Sequence, residues 1–230
     1  MPLLNINKLS VKIENKFILS EIDFVVPKGE TLALLGHNGA GKSTLIQTIT
    51  GIRDKHTGTI TLNEYNQEDI LNYKENFVYL PEEPLLLTEL TVMQHFQLYG
   101  KSYRISESDL MYKVNKYIKG FELEEKLNEY PGSLSKGMRQ KVQTICAFLP
   151  DVPLLLIDEP FMGLDVYAVD YFLEILAEKS AEGTTIIITT HQLERVSSIA
   201  DTFIQLQNGK IIESGNVEEF LGIKRGYNDV

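Results

Sequence analysis

Thr31-Leu32-Ala33-Leu34-Leu35-Gly36-His37-Asn38-Gly39-Ala40-Gly41-Lys42-Ser43-Thr44 is the stretch that decides the fold. Residues 31–35 form a nearly continuous apolar run, as expected of a strand covered on both faces. The next nine residues fit G-x-x-x-x-G-K-[ST], and a helical pattern opens at Lys42. Strand, glycine-rich loop and helix in that order are the context that gives this pattern its meaning. Glycines let the backbone curl so that successive N–H groups point inward at phosphate oxygens, and the helix N-terminus adds positive potential. Gly36, His37, Asn38, Gly39, Ala40, Gly41, Lys42, Ser43 and Thr44 are therefore candidate nucleotide-binding residues, with Lys42 on the β- and γ-phosphates and Ser43 on Mg²⁺.

Further along the chain, Leu154-Leu155-Leu156-Ile157 is a second apolar run, and it ends on Asp158-Glu159-Pro160. Ligands of parallel sheets lie at the carboxyl ends of the strands, which places both acids beside the phosphate loop. Asp158 would hold Mg²⁺ through water and Glu159 would polarise an attacking water. Taken alone, two acids after a strand serve equally well as caps of the next helix; their pairing with the phosphate loop is what favours chemistry. A third run, Thr185 to Ile188, follows a helical segment from Tyr167 to Ser180 and continues the βα rhythm.

The flanks have other textures. Short β-prone runs at Leu3 to Ile6, Val11 to Ile13 and Ile22 to Val26 predict an antiparallel N-terminal sheet. From Thr91 to Leu149 the pattern is mainly helical, with Leu110, Val114, Tyr117 and Ile118 at helical spacing after the potential cap Ser106. Phe203 to Leu206, Asn208-Gly209 and Lys210 to Ile212 predict a hairpin.

With 230 residues, 43% of them hydrophobic, the chain can bury a full core. Lys and Arg number 22 against 32 Asp and Glu, a net charge of −10, so neither nucleic acid nor an anionic membrane surface attracts it as a whole. No stretch approaches the roughly 20 apolar residues that cross a bilayer, and the start lacks the features of a signal peptide, so a cytoplasmic location is expected. The single cysteine, Cys146, sits among apolar neighbours and reads as core packing.

Leu134-Ser135-Lys136-Gly137-Met138-Arg139-Gln140 resembles the LSGGQ signature of ABC ATPases. Gly163-Leu164-Asp165 resembles that family's D-loop, and Thr190-His191 its switch histidine. The resemblance covers essentially the whole chain. It implies an α/β fold: a RecA-like phosphate-loop NTPase core at about 31–90 and 150–230, an antiparallel β subdomain at about 1–30 with part of the core, and an inserted α-helical subdomain at 91–149. It further implies an ATP-binding and ATP-hydrolysing subunit of an ABC transporter, with ATP and Mg²⁺ as cofactors. Its partners would be an integral membrane permease docked near Glu82 to Phe96 and a second nucleotide-binding subunit, identical or paralogous. The chain would then lie on the inner face of the cell membrane. Glu159 and His191 would be catalytic. Ser135 and Gly137, at a helix N-terminus, would bind the γ-phosphate of ATP held on the opposing subunit; without the family, Leu134-Ser135 is only a helix cap.

Several residues depart from the family pattern. Lys136 and Met138 stand where glycine and glutamine are commonest. At the Q-loop, Tyr79-Leu80-Pro81-Glu82-Glu83-Pro84 carries Glu82 in place of glutamine; a carboxylate there still suits Mg²⁺. Similar variants occur in exporters with a separate membrane polypeptide, which favours export. No aromatic is obvious for stacking on the base: Ile13 occupies that register, and Phe17, the nearest aromatic, reads as a core strand residue. Two rivals remain in view, a soluble ABC ATPase of nucleic-acid, ribosome or iron-sulfur processes and a non-hydrolysing regulatory subunit. One nucleotide-binding unit, no coiled-coil insertion and an acidic balance weigh against the first. Lys42, Asp158, Glu159 and His191 together weigh against the second.

Overall fold

The structure, a computed structural model, describes residues 1–191 and 193–220; positions 192 and 221–230 of the expected 150–230 span lie outside the described residues. In chain order the elements are β1 (Pro2–Ile13), β2 (Lys16–Pro27), β3 (Thr31–Leu35), α1 (Lys42–Ile49), β4 (Thr57–Leu62), β5 (Tyr65–Asn66), α2 (Ile70–Lys74), β6 (Phe77–Leu80), α3 (Val92–Ser102), α4 (Glu107–Gly120), α5 (Lys136–Phe148), β7 (Leu154–Asp158), α6 (Val166–Ala181), β8 (Thr185–Thr190), α7 (Leu193–Val196), β9 (Thr202–Gln207) and β10 (Lys210–Asn216). They form a four-stranded sheet of order β2-β1-β4-β5 and a six-stranded sheet of order β10-β9-β3-β8-β7-β6. Every pairing in the first sheet is antiparallel. In the second, β9 to β6 run parallel and β10 closes the edge as the antiparallel arm of the expected hairpin.

The parallel strands are apolar throughout because both of their faces are covered. Ala33, Leu35, Leu155, Ile157, Ile186 and Ile188 pack into a core shared with the helices. Their neighbours Leu32, Leu34, Leu154, Leu156 and Ile187 point the other way, into a core shared with α1 and the antiparallel sheet. Cys146 is fully buried in the first core, where burial pushes its thiol well above the ordinary range, as its core reading requires. Among the described residues no helix is long and apolar enough to cross a membrane.

The N-terminal sheet differs from the expectation in two respects. Leu3 to Ile6 and Val11 to Ile13 belong to one strand, interrupted at Lys8, whose φ is 47°, and by a register shift between Ile6 and Leu9. Such a bulge breaks the alternation that would reveal a single strand. The bulge presses on β4, where a Cβ on Gly58 would lie 2.6 Å from Leu9 Cα, so only glycine fits. In addition, β4 and β5 join this sheet from within 31–90. Phe17 is also not a core residue: it is 50% exposed, edge-on to His56 near the β1–β2 turn.

Within 91–149, α3, α4 and α5 begin on capping side chains at Thr91, Ser106 and Ser135. Phe148 at the end of α5 packs against Tyr117 of α4 and Phe172 of α6, joining the helical segment to the core. Phe148→Ala should cost about 3–5 kcal/mol of stability, measured by urea denaturation with binding of a fluorescent nucleotide as a second probe.

Candidate functional site

The carboxyl ends of β3 and β7 face a cavity of ≈ 490 Å³. Asn38, Gly39, Gly41, Lys42, Ser43 and Thr44 line it from one side, and Glu82, Glu159, Met162 and His191 from the other. Ile13 and Ile18 complete its wall. Three of the predicted loop residues lie just outside this lining. Gly36 and His37 border an adjoining cavity that also meets His191, and Ala40 is buried beneath the loop.

The start of α1 lacks a side-chain cap, as does that of the short α2, but only α1 opens on this cavity. The first N–H groups of any helix lack intrahelical partners. Helices α3, α4, α5 and α6 each satisfy one of theirs with a Ser, Thr or Asp side chain. Helix α1 starts at Gly41, with φ 110°, and has no side-chain cap. Those donors, together with a loop in which a Cβ on Gly39 would meet nothing within 4 Å, leave room and unsatisfied polarity for an anion.

On the facing side, Glu159 sits at φ 41°, a backbone conformation rare for a residue with a side chain and typical of strained functional positions. Its N–H donates to Thr189 Oγ1 at 2.9 Å, and that hydroxyl donates to Asp158 Oδ1 at 2.5 Å. One threonine thus fixes both acids, with Asp158 only 2% exposed behind the cavity wall. Tyr79 of β6 lies near the same aspartate; burial, reinforced by the Asp158 charge, pushes its hydroxyl above the ordinary range. The Glu159 carboxylate lies between two partners: Lys42 Nζ is 3.2 Å from Oε1 and His191 Nδ1 is 3.1 Å from Oε2. Lys42 also donates to the Gly36 carbonyl at 2.8 Å. With the lysine and glutamate side chains only 6% and 11% exposed, each charge compensates the other out of water.

Ser135 and Gly137 stand apart from this cavity. Ser135 is exposed and caps α5 by accepting the Met138 N–H at 3.2 Å. Gly137 abuts the Gly163 loop so closely that a Cβ would lie 2.5 Å from the Gly163 carbonyl oxygen. Sequence reasoning missed Thr189, Tyr79, Ile18 and Met162. Thr189, the penultimate residue of β8, had a polar side chain at a strand end as its signal.

A family model described as "ABC transporter" matches residues 19–162. The chain belongs to the ABC transporter family of ATP-binding proteins. It is 37% identical over 220 residues to the ABC-type transporter ATP-binding protein EcsA of Bacillus subtilis, covering 95% of this chain and 89% of that one. It is 33% identical over 220 residues to the SkfA peptide export ATP-binding protein SkfE of the same organism, covering 96% and 92%. A solved ATP-binding subunit of an ABC transporter superposes with a TM-score of 0.90 at 38% identity, over 98% of this chain and 93% of that one. The chain is thus an ABC ATPase, and its ligand is ATP.

In this ABC ATPase the Thr189 hydroxyl bonds to both acids, accepting the Glu159 N–H and donating to Asp158. Thr189→Val keeps the shape and strands the Glu159 N–H and one Asp158 oxygen. It should lower stability by about 1–3 kcal/mol, read by denaturant unfolding, and reduce steady-state ATP turnover.

Proposed function

We propose that the chain is the motor subunit of an ABC exporter, binding ATP with Mg²⁺, pairing face to face with a second nucleotide-binding subunit and driving a separate membrane permease. The observation that carries this reading is the single cavity in which an uncapped phosphate loop meets Glu159 and His191. The loop N–H groups and Lys42 bind the phosphates, and the base lies against the apolar wall of Ile13 and Ile18. Lys42 exchanges Glu159 for the γ-phosphate. Glu159, released from that pair, orients water for in-line attack, while His191 holds its carboxylate and faces the transferred group.

Among the described residues no group of three or more His, Cys, Asp or Glu side chains could hold a metal by itself. The Ser43 hydroxyl and the Asp158 and Glu82 carboxylates form a sparse, hard oxygen set. That set suits a Mg²⁺ ion that keeps several waters and takes oxygens from the phosphates. When bound, the ion neutralises phosphate charge, and these three residues would hold it.

The exposed Ser135 and the Gly137 backbone stand outside the chain's own cavity, which supports their serving the nucleotide of an opposing subunit. Leu85 and Leu87 are exposed within the Glu82 to Phe96 region and Leu98 is exposed just beyond it, which supports docking of the permease there. Export is favoured by the Lys136 and Glu82 variants and by the likeness to a peptide-export protein.

Glu159→Gln should retain ATP binding, lower turnover by about 10²–10³-fold and accumulate as an ATP-dependent dimer in size-exclusion chromatography with Mg²⁺. Hydrolysis at the wild-type rate would remove Glu159 from its assigned role. Co-purification with ribosomes or nucleic acid, in place of a polytopic membrane protein, would overturn the transport reading, and the direction of substrate flux in vesicles decides export.

A further inference from the structure

Helix α5 and the loop before α6 touch at two points on one helical face. Gly137 and Lys141 are four residues apart, one turn, and so project on the same side of α5. The first contact is the close approach of Gly137 to the Gly163 carbonyl, which leaves no room for a Cβ. The second is an ion pair, with Lys141 Nζ 2.9 Å from Asp165 Oδ2. Asp165 is itself fixed, because its other oxygen accepts the Ala168 N–H at 2.9 Å and caps α6. The bond from Lys141, then that from Ala168, holds the Asp165 carboxyl below the ordinary carboxylate range. Exposed ion pairs contribute little when two free side chains must be ordered. Here the Lys141 side chain is only 12% exposed along its length and the carboxylate is held by its own helix, so much of that ordering is already in place.

We propose that Lys141 is a positioning residue of the two-subunit ATP site: its pair with Asp165 clasps the Ser135–Gly137 segment to the Gly163–Asp165 loop, so that both meet the opposing subunit as one unit. The clasp rests on the face-to-face dimer proposed above. It lies outside the chain's own nucleotide cavity, so its loss acts on assembly and leaves the first nucleotide-binding step intact. Without it the close approach of Gly137 to Gly163 remains, but the side-chain tie one turn further along α5 is lost.

The test uses the full chain carrying Glu159→Gln, with ATP and Mg²⁺, and reads dimerisation by sedimentation velocity and monomer affinity with a fluorescent ATP analogue. Adding Lys141→Met should raise the protomer concentration for half-dimerisation by about tenfold, the effect of one well-held pair, with analogue affinity unchanged. Lys141→Arg should restore dimerisation. Asp165→Asn, which keeps an oxygen for the Ala168 N–H, should weaken dimerisation as Lys141→Met does, and the two combined should be no weaker than either alone. Undiminished dimerisation in Lys141→Met, multiplied losses in the combination, or an equal loss of analogue affinity would each overturn the clasp. If the Glu159→Gln parent stays monomeric, the dimer reading fails, and the clasp with it.

Discussion

The parallel register of three strands places the whole site. Leu35 pairs with Thr190 and Asp158 with Thr189, so the phosphate loop, the two acids and the residue before His191 leave the sheet side by side at one edge. The sheet is rigid because both faces are buried, and a slip of one residue would exchange the two cores. Loop glycines and acids more than a hundred residues apart in sequence are thereby brought to within a side chain's reach, with the loops themselves contributing only the final turn of direction.

Two kinds of stored cost meet at Glu159. Its backbone occupies a conformation unfavourable by about 1–3 kcal/mol for a residue with a Cβ, held there by the hydrogen bond to Thr189. Its carboxylate is nearly dry and rests against Lys42, the group that a phosphate needs. Neither feature stabilises the fold for its own sake. A paired lysine and glutamate avoid the penalty of an isolated buried charge, and in the proposed mechanism the phosphate takes over a lysine that is already desolvated. The strained turn keeps Glu159 aimed at that point, and His191 holds the second carboxylate oxygen.

How far the sequence could be read follows from how local each signal is. The phosphate loop, the Asp158-Glu159 pair and the terminal hairpin are contiguous, and each carries its own chemistry. The β1–β4 pairing is different: Thr57 to Leu62 alternates as a strand should, but its partner lies some fifty residues away and is broken by the bulge at Lys8. Phe17 departs from its expected core place for a related reason, since the apolar run Phe17-Ile18-Leu19 does not say which face is covered; the fold buries Leu19, turns Ile18 to the cavity and leaves Phe17 outside. Thr189 was invisible as a site residue because its role exists only once β8 lies beside β7.

The helix starts divide the surface into two kinds of anion-facing end. Helix α1 has no side-chain cap and opens into its own chain's cavity, so its donors are available to a ligand held in cis. Helix α5 is capped by Ser135, whose hydroxyl accepts the Met138 N–H and keeps its own proton to donate. That end lies exposed beside the Gly163 loop and outside the cavity. A group that must stabilise itself while waiting, and still has a donor to offer, suits a ligand that arrives late and from elsewhere. The cis end can bind ATP alone; with the capped end taking its ligand from an opposing subunit, as proposed, the two ends together favour binding first and assembly second.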